Sequence, residues 1–273
     1  MARDWVEFVQ SQNLPWQPWA MDAFGGGVEI KRLSEDTDSG ALSALLRYPP
    51  GYRADASALA TDEEFLVLDG ELEIGGRQFG PFAYAHWPRG FNGGERSSAS
   101  GAVVLTFFSA APEAAADAAY NSQRLVEHLD AFEVPYTGKF HPEFPPGAGR
   151  KVLYTDPETA ETSWILGTLP MRWAERSEVH PYVEEMYLLS GESHGDRGVM
   201  RPGAYFWRPG GIPHGPYGTL TGNLYFFRTR GGGLETEYVE PRRAFRWWPE
   251  YEPELPASLG KYGREIERLS RCW

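Results

Sequence analysis

Four side chains in the C-terminal half, Glu178, His180, Glu184 and His214, are of the types that hold a divalent metal ion or move a proton. Residues 178 and 180 alternate to one face of an extended strand. With a turn after them, Glu184 on the next strand returns to that face, and His214 arrives from a distant hairpin. Two imidazoles and a carboxylate converging from separate strands make a facial set with open positions. Such a set suits Fe(II), Mn(II), Ni(II) or Zn(II), and its open positions can take a substrate or dioxygen. Glu178 is a fourth ligand, a base beside the metal or a surface carboxylate. Glu185 lies on the opposite strand face from Glu184 and is expected to point outward.

These side chains need a rigid frame, and the composition points to a β one. The chain has 273 residues with 31 Gly, 22 Pro, 14% aromatics, 41% hydrophobics and 23% charged residues. That balance is globular rather than disordered. Runs such as residues 101–108, GAVVLTFF, indicate strands and tight turns. The stretch 112–129 is Ala-rich and compatible with a helix. The net charge of −12 makes a nucleic acid or an anionic membrane surface a poor partner. Cys272 is the only cysteine, which excludes an intrachain disulfide, a CxxC redox pair and a cysteine-built zinc site. Residues 1–15 carry no apolar signal segment, and no apolar run approaches the ~20 residues of a membrane helix. A cytoplasmic protein is expected, monomeric or homodimeric.

An internal repeat organises the chain. A constant offset of 121 residues, without gaps, places Glu63 on Glu184, Gly70 on Gly191, Pro81 on Pro202, Ala83 and Tyr84 on Ala204 and Tyr205, Pro88 on Pro209 and Gly90 on Gly211. Two copies of one β unit are the simplest reading. Residues 65–68 and 186–189 read as buried strands. The aromatic-rich ends, residues 5–19 and 245–273, are expected to pack on a barrel or on a second subunit.

The second copy contains Gly203-x5-Pro209-x-Gly211-x2-His214 and Glu178-x-His180-x3-Glu184-x6-Gly191. These resemble the two signature motifs of the cupin superfamily, Gly-x5-Pro-x-Gly-x2-His-x3-Asn and Gly-x5-His-x-His-x3/4-Glu-x6-Gly. The final Asn position is Gly218 here, the leading Gly of the other motif is Arg172, and its first His is Glu178. With two copies the chain resembles a bicupin. The resemblance implies an all-β fold of two tandem double-stranded β-helix (jelly-roll) barrels with few short helices. It also implies a metal on His180, Glu184 and His214. The expected layout is an N-terminal arm over 1–29, a first barrel over 30–132, a linker over 133–149, a second barrel over 150–240 and a C-terminal arm over 241–273.

The first copy has Ser57, Leu59 and Gly93 at the histidine positions and keeps only Glu63. It is expected to be metal-free and to have a structural role. His86 falls on Trp207 and reads as core or turn packing. His128, His141 and His194 match no ligand position and read as loop or surface residues. Around the metal, Tyr205, Trp207, Met186 and Phe227 are candidate pocket residues, with Leu188 and Tyr225 beside them. Glu178, Arg208 and Tyr225 are candidate catalytic groups, and Arg172 or Arg208 could receive a carboxylate or enolate oxygen.

The phrases EEFLVLDGELEIGG and EEMYLLSGE look most like cupins of the ChrR type, a group that includes acetylacetone- and dihydroxyacetophenone-cleaving dioxygenases. By that resemblance the chain is a non-haem Fe(II) dioxygenase. Its substrate would be a small enolisable ketone or diketone, with dioxygen as co-substrate and Glu178 as the base. Two alternatives stand beside it. One is a Zn(II) or Mn(II) isomerase, cyclase, dehydratase or decarboxylase of bacterial secondary metabolism. The other is a non-catalytic small-molecule or metal-binding bicupin.

Overall fold

The structure is a computed structural model, and it describes residues 3–116, 119–138, 144, 146–266 and 271–273. The chain divides into two units, one of residues 1–3 and 14–133, the other of residues 4–13 and 134–273. Each is built from antiparallel strands.

In the second unit the main sheet runs, edge to edge, through strands Val6–Gln10, Ala204–Arg208, Val183–Gly191, Asn223–Arg230, Thr162–Thr168 and Ala148–Thr155. A smaller sheet, including Ser193–Gly195, Gly198–Met200 and Gly218–Thr219, closes the barrel, and Ser177–Val179 pairs with Glu237–Val239. The first unit repeats the plan. Its main sheet runs through Val126–Asp130, Ala83–Trp87, Glu63–Gly70, Ala102–Phe108, Leu42–Tyr48, Glu29–Glu35 and Gln17–Pro18. The 121-residue offset carries Leu72–Ile74 onto Ser193–Gly195 and Arg77–Phe79 onto Gly198–Met200.

The two sheets differ at their edges: Gln17–Pro18 extends the first beyond Glu29–Glu35, and at the opposite edge the added strand comes from a different part of the chain in each unit. Val126–Asp130 covers the Ala83–Trp87 strand in the first unit, and the N-terminal strand Val6–Gln10 covers Ala204–Arg208 in the second. The first pairing corrects the expectation of a helix over 112–129. Among the described residues that stretch holds a two-residue strand Ala114–Ala115, a 3-10 turn Ser122–Arg124 and the edge strand. An open sheet edge with unpaired N–H and C=O groups outweighs weak alanine propensity. No helix among the described residues is long and apolar enough to cross a membrane.

Each barrel has its own core. Phe65, Val67, Ala85, Trp87 and Val104 pack in the first, and Trp164, Met186, Leu188, Phe206 and Tyr225 in the second. The strand that carries Glu184 ends at Gly191, with φ +76°. A Cβ there would collide with the carbonyl oxygen of Gly222, just before the adjacent strand, and Gly70 stands in the same relation to Gly101. The C-terminal segment packs on its own unit. The Tyr251 hydroxyl donates to the Phe8 carbonyl at 2.8 Å, and the Phe245 ring fills the space beside Gly218, where any Cβ would meet it.

Candidate metal centre

His180 follows the strand Ser177–Val179, and Glu184 begins the next, Val183–Gly191. His214 is brought back to them by an antiparallel bridge with Glu178, in which each backbone N–H bonds the other's carbonyl, at 2.9 and 3.0 Å. His180, Glu184 and His214 are all buried. One ligand atom each from Glu178, His180 and His214 lie within 4.8 Å of one another. Glu184 joins this group, with Oε1 3.5 Å from His180 Nε2 and Oε2 3.6 Å from His214 Nε2. All four residues singled out in the sequence therefore converge.

Hydrogen bonding fixes the imidazoles. Nδ1 of His180 lies 2.7 Å from the Glu235 carbonyl, and Nδ1 of His214 lies 3.0 Å from the Ile212 carbonyl. A carbonyl only accepts, so each Nδ1 carries a proton, and each Nε2 is the ring nitrogen left facing the centre. His180 Nε2 is buried and has no hydrogen-bond partner. Burial, followed by the positive charge of Arg208 and then His180, holds the His214 imidazole well below its usual pKa, in the neutral form that ligates metals. Burial also pushes the Glu178 carboxyl up, against the opposing pull of His180.

The centre opens onto a cavity of about 70 Å³ walled by Met186, Phe206, Tyr225 and Phe227, with Arg172 and Glu178 also in its lining. Tyr225 is kept protonated, its pKa pushed up to about 12 by burial, and its oxygen accepts from Asn223 Nδ2 at 2.6 Å. Arg172 lies 4.8 Å over the Phe144 ring and donates to the Pro146 carbonyl. Leu188 belongs to the core cluster. A larger surface groove of about 720 Å³ presents no carboxylate, imidazole or cation among its described lining residues, so it offers no comparable chemistry.

Four expectations change. Tyr205 and Trp207 do not line the cavity; Phe206 does. The register pairs Glu184 with Arg208 and Met186 with Phe206, so the even-numbered residues of both strands share the inner face. Tyr205 instead donates from its hydroxyl to Glu185 at 2.6 Å on the other face. That face is also covered, and Glu185, expected outward, is 1% exposed and paired with Arg228 at 2.9 Å. Arg208 is not free to receive a substrate oxygen. Its guanidinium is engaged by Glu7, by Glu184 at 2.7 Å and by the Tyr217 hydroxyl at 2.9 Å. His194 is fully buried, its Nδ1 bonded to the Trp247 carbonyl and its ring against Trp247 and Trp248. The C-terminal tryptophans, not solvent, surround it.

The other histidines are simpler. His86 is buried with Nδ1 2.7 Å from the Arg124 carbonyl, and His128 stands on an edge strand with its ring 4.8 Å from Phe79. His141 lies outside the described residues. Sequence reasoning missed Glu7, Tyr217 and Phe206. Glu7 sits some two hundred positions from its partner, and no local pattern marks it.

In the first barrel Arg96 grips Glu63 through both guanidinium Nη atoms, Nη1 at 2.9 Å. The Arg96 guanidinium also lies 4.8 Å and 5.1 Å from the ring centres of Phe24 and Trp87. A fixed organic cation thus occupies the one carboxylate that survives there.

Two jelly-roll barrels in tandem, one with a buried His/Glu cluster, define the fold as that of a two-barrel cupin. Residues 7–234 match the family described as Domain of unknown function (DUF4437), and the chain belongs to that family. No curated protein matches the chain. Among solved structures, a Nostoc punctiforme protein provisionally described as a dioxygenase is 20% identical, with a TM-score of 0.78 and 87% of each chain covered. Oxalate decarboxylase of Bacillus subtilis is 12% identical, with a TM-score of 0.57, covering 85% of this chain and 79% of its own. Vicilin of hazelnut, Corylus avellana, is 9% identical, with a TM-score of 0.57, covering 86% and 87%. At these identities the likeness is one of fold, and the same fold serves unrelated tasks.

Proposed function

We propose that the second barrel holds one divalent metal ion, Fe(II) by preference, on His180, His214 and Glu184. In this reading the chain is an oxygenase acting on a small enolisable ketone or diketone, as the likeness to ChrR-type cupins suggests. The carrying observation is the buried Nε2 of His180, which has no partner and faces carboxylate oxygens of Glu178 and Glu184 at 3.8 and 3.5 Å. An unsatisfied buried polar atom costs about 1–3 kcal/mol, and a cation between these groups satisfies all of them. The donor set of two imidazoles and two carboxylates fits Fe(II), Mn(II), Ni(II) and Zn(II).

When bound, the metal supplies Lewis-acid polarisation of a ketone oxygen and, if it is iron, a site for dioxygen chemistry. The chain's own groups do the rest. Glu178, with its carboxyl pKa raised by burial, is the stronger base for an acidic α-proton. The Tyr225 hydroxyl, protonated at neutral pH, can donate to a substrate oxygen. Met186, Phe206 and Phe227 exclude water. At ~10–15 Å³ per water position, a cavity of about 70 Å³ admits a molecule of only a few heavy atoms.

The test is elemental analysis of chain purified anaerobically without chelators, beside His180→Ala/His214→Ala. About one equivalent of iron in wild type and none in the variant supports the site, and oxygen uptake with short β-diketones then supports the reaction. Stoichiometric zinc or manganese with no oxygen uptake moves the chemistry to non-redox enolate turnover. No metal in either protein, before and after reconstitution, refutes the metalloenzyme.

A further inference from the structure

We propose that Glu7, on the N-terminal strand Val6–Gln10, is a positioning residue for the metal centre: it occupies Arg208 and so keeps Glu184 available as a ligand. The proposal rests on the metal reading above. Arg208 and Glu7 are 2% and 3% exposed. Arg208 donates from Nε to Glu7 Oε2 at 2.6 Å and from Nη2 to Glu7 Oε1, and Nη2 also reaches the Tyr217 hydroxyl. Only Nη1 remains for Glu184, and it meets Oε2 at 2.7 Å. Glu184 therefore gives one oxygen to the guanidinium and keeps Oε1 turned to His180 Nε2.

The first barrel shows the same carboxylate without such restraint. Glu63 stands 121 residues before Glu184, and Arg96 takes both of its oxygens. Among the described residues Glu63 is the only carboxylate paired with Arg96. The fork of a guanidinium matches a carboxylate bidentately, and that pairing is stronger than a single contact. In the second barrel the bidentate partner of the guanidinium is Glu7. Its charge balances Arg208, and its geometry leaves Glu184 a monodentate share. The guanidinium has also changed strands: Tyr217 occupies the repeat position of Arg96, and Arg208 that of Trp87. Without Glu7, Arg208 is an unbalanced cation that competes with the metal for Glu184.

The experiment measures Mn(II) affinity by calorimetry on the full chain for wild type, Glu7→Gln, Glu7→Asp and Glu7→Leu/Arg208→Met. Thermal unfolding of each metal-free protein is run beside it. Glu7→Gln is expected to raise the Kd for Mn(II) about 10- to 100-fold, the usual cost of losing an outer partner of a ligand. Glu7→Asp, which keeps the charge, falls between. The double variant, which removes the competing cation together with its counter-ion, returns to within about threefold of wild type. A merely structural Glu7 would lower the metal-free Tm without moving affinity, and it would give the double variant no advantage. Unchanged Mn(II) affinity in Glu7→Gln, or a double variant that binds tenfold or more weaker than wild type, overturns the proposal. If Glu7→Gln does not fold, the double variant decides on the same limits. Wild type that binds neither Mn(II) nor, anaerobically, Fe(II) or Zn(II) overturns the metal reading along with the proposal, so the two failures are told apart.

Discussion

Replacing Glu63 by leucine in the first barrel leaves Arg96 buried with its charge unmatched. The Glu63 and Arg96 side chains are 3% and 7% exposed, and the carboxylate takes up two of the guanidinium's nitrogens. Burial works against the Arg96 charge, but the Coulombic and hydrogen-bonding support of Glu63 outweighs it and holds the pKa above the usual arginine value, so the group does not escape by deprotonation. Breaking one side of such a pair costs about 3–5 kcal/mol, whereas replacing both partners by apolar groups is often neutral or better. The ring faces of Phe24 and Trp87 remain beside Arg96 in the single variant, but a cation–π contact is worth only about 0.5–2 kcal/mol, and it already exists in wild type. Amide hydrogen exchange of Glu63–Gly70 and Ala102–Phe108, read by mass spectrometry, reports the loss where it occurs. At one decade per ~1.4 kcal/mol, protection should fall about 100- to 4000-fold in Glu63→Leu. In Glu63→Leu/Arg96→Met it should return to within about tenfold of wild type. Equal protection in the single and double variants would refute the claim that a buried charge, rather than lost packing, sets the cost.

Three further outcomes are expected. His214→Ala or His180→Ala lowers bound metal from about one equivalent to near zero by mass spectrometry, since no other described His/carboxylate cluster offers three ligand atoms. Phe206→Ala destabilises the second barrel by about 3–5 kcal/mol in urea titration, because a 2%-exposed ring is removed from a packed core. Lys31 has its pKa lowered to about 8, by burial first and the charge of Arg47 second. Below that value it is charged in both states and carries its full penalty. Between about pH 8 and the ordinary lysine value the unfolded chain binds more protons than the folded one, so stability rises with pH. Lys31→Met should flatten that rise in melts taken across the window.

The sequence carried the second barrel's centre because its four donors sit on short local spacings, and strand alternation alone brings Glu178, His180 and Glu184 into reach. It misjudged the walls because parity within a strand says which residues share a face, not which face is inside. The repeat held the missing signal. Glu64 and Glu185, and Tyr84 and Tyr205, keep the same types in a copy without the histidines. In both units the tyrosine hydroxyl donates to the glutamate, at 2.7 and 2.6 Å. A pair retained where there are no donors for a metal serves the outer face, not a substrate. The edge strands were illegible for a different reason. Val6–Gln10 and Val126–Asp130 are chosen by an open sheet edge, a tertiary demand that leaves little periodic trace in a five-residue segment.

The contrast between the barrels shows how little separates a candidate metal centre from a site filled by an arginine. Both keep a buried glutamate at the start of the same strand, and both place a guanidinium against it. A buried carboxylate must be matched by positive charge. In the first barrel Arg96 provides the match alone, and the histidine positions are Ser57, Leu59 and Gly93, so nothing remains for a cation to join. In the second, Glu7, Glu184 and Glu178 surround one buried guanidinium and two imidazoles whose Nδ1 atoms are already committed to carbonyls. Even with Arg208 counted, three carboxylates, once ionised, leave an excess of negative charge beside the two Nε2 atoms. On the proposed metal reading, that charge balance favours a divalent cation in the second barrel, whereas in the first the guanidinium already supplies the match.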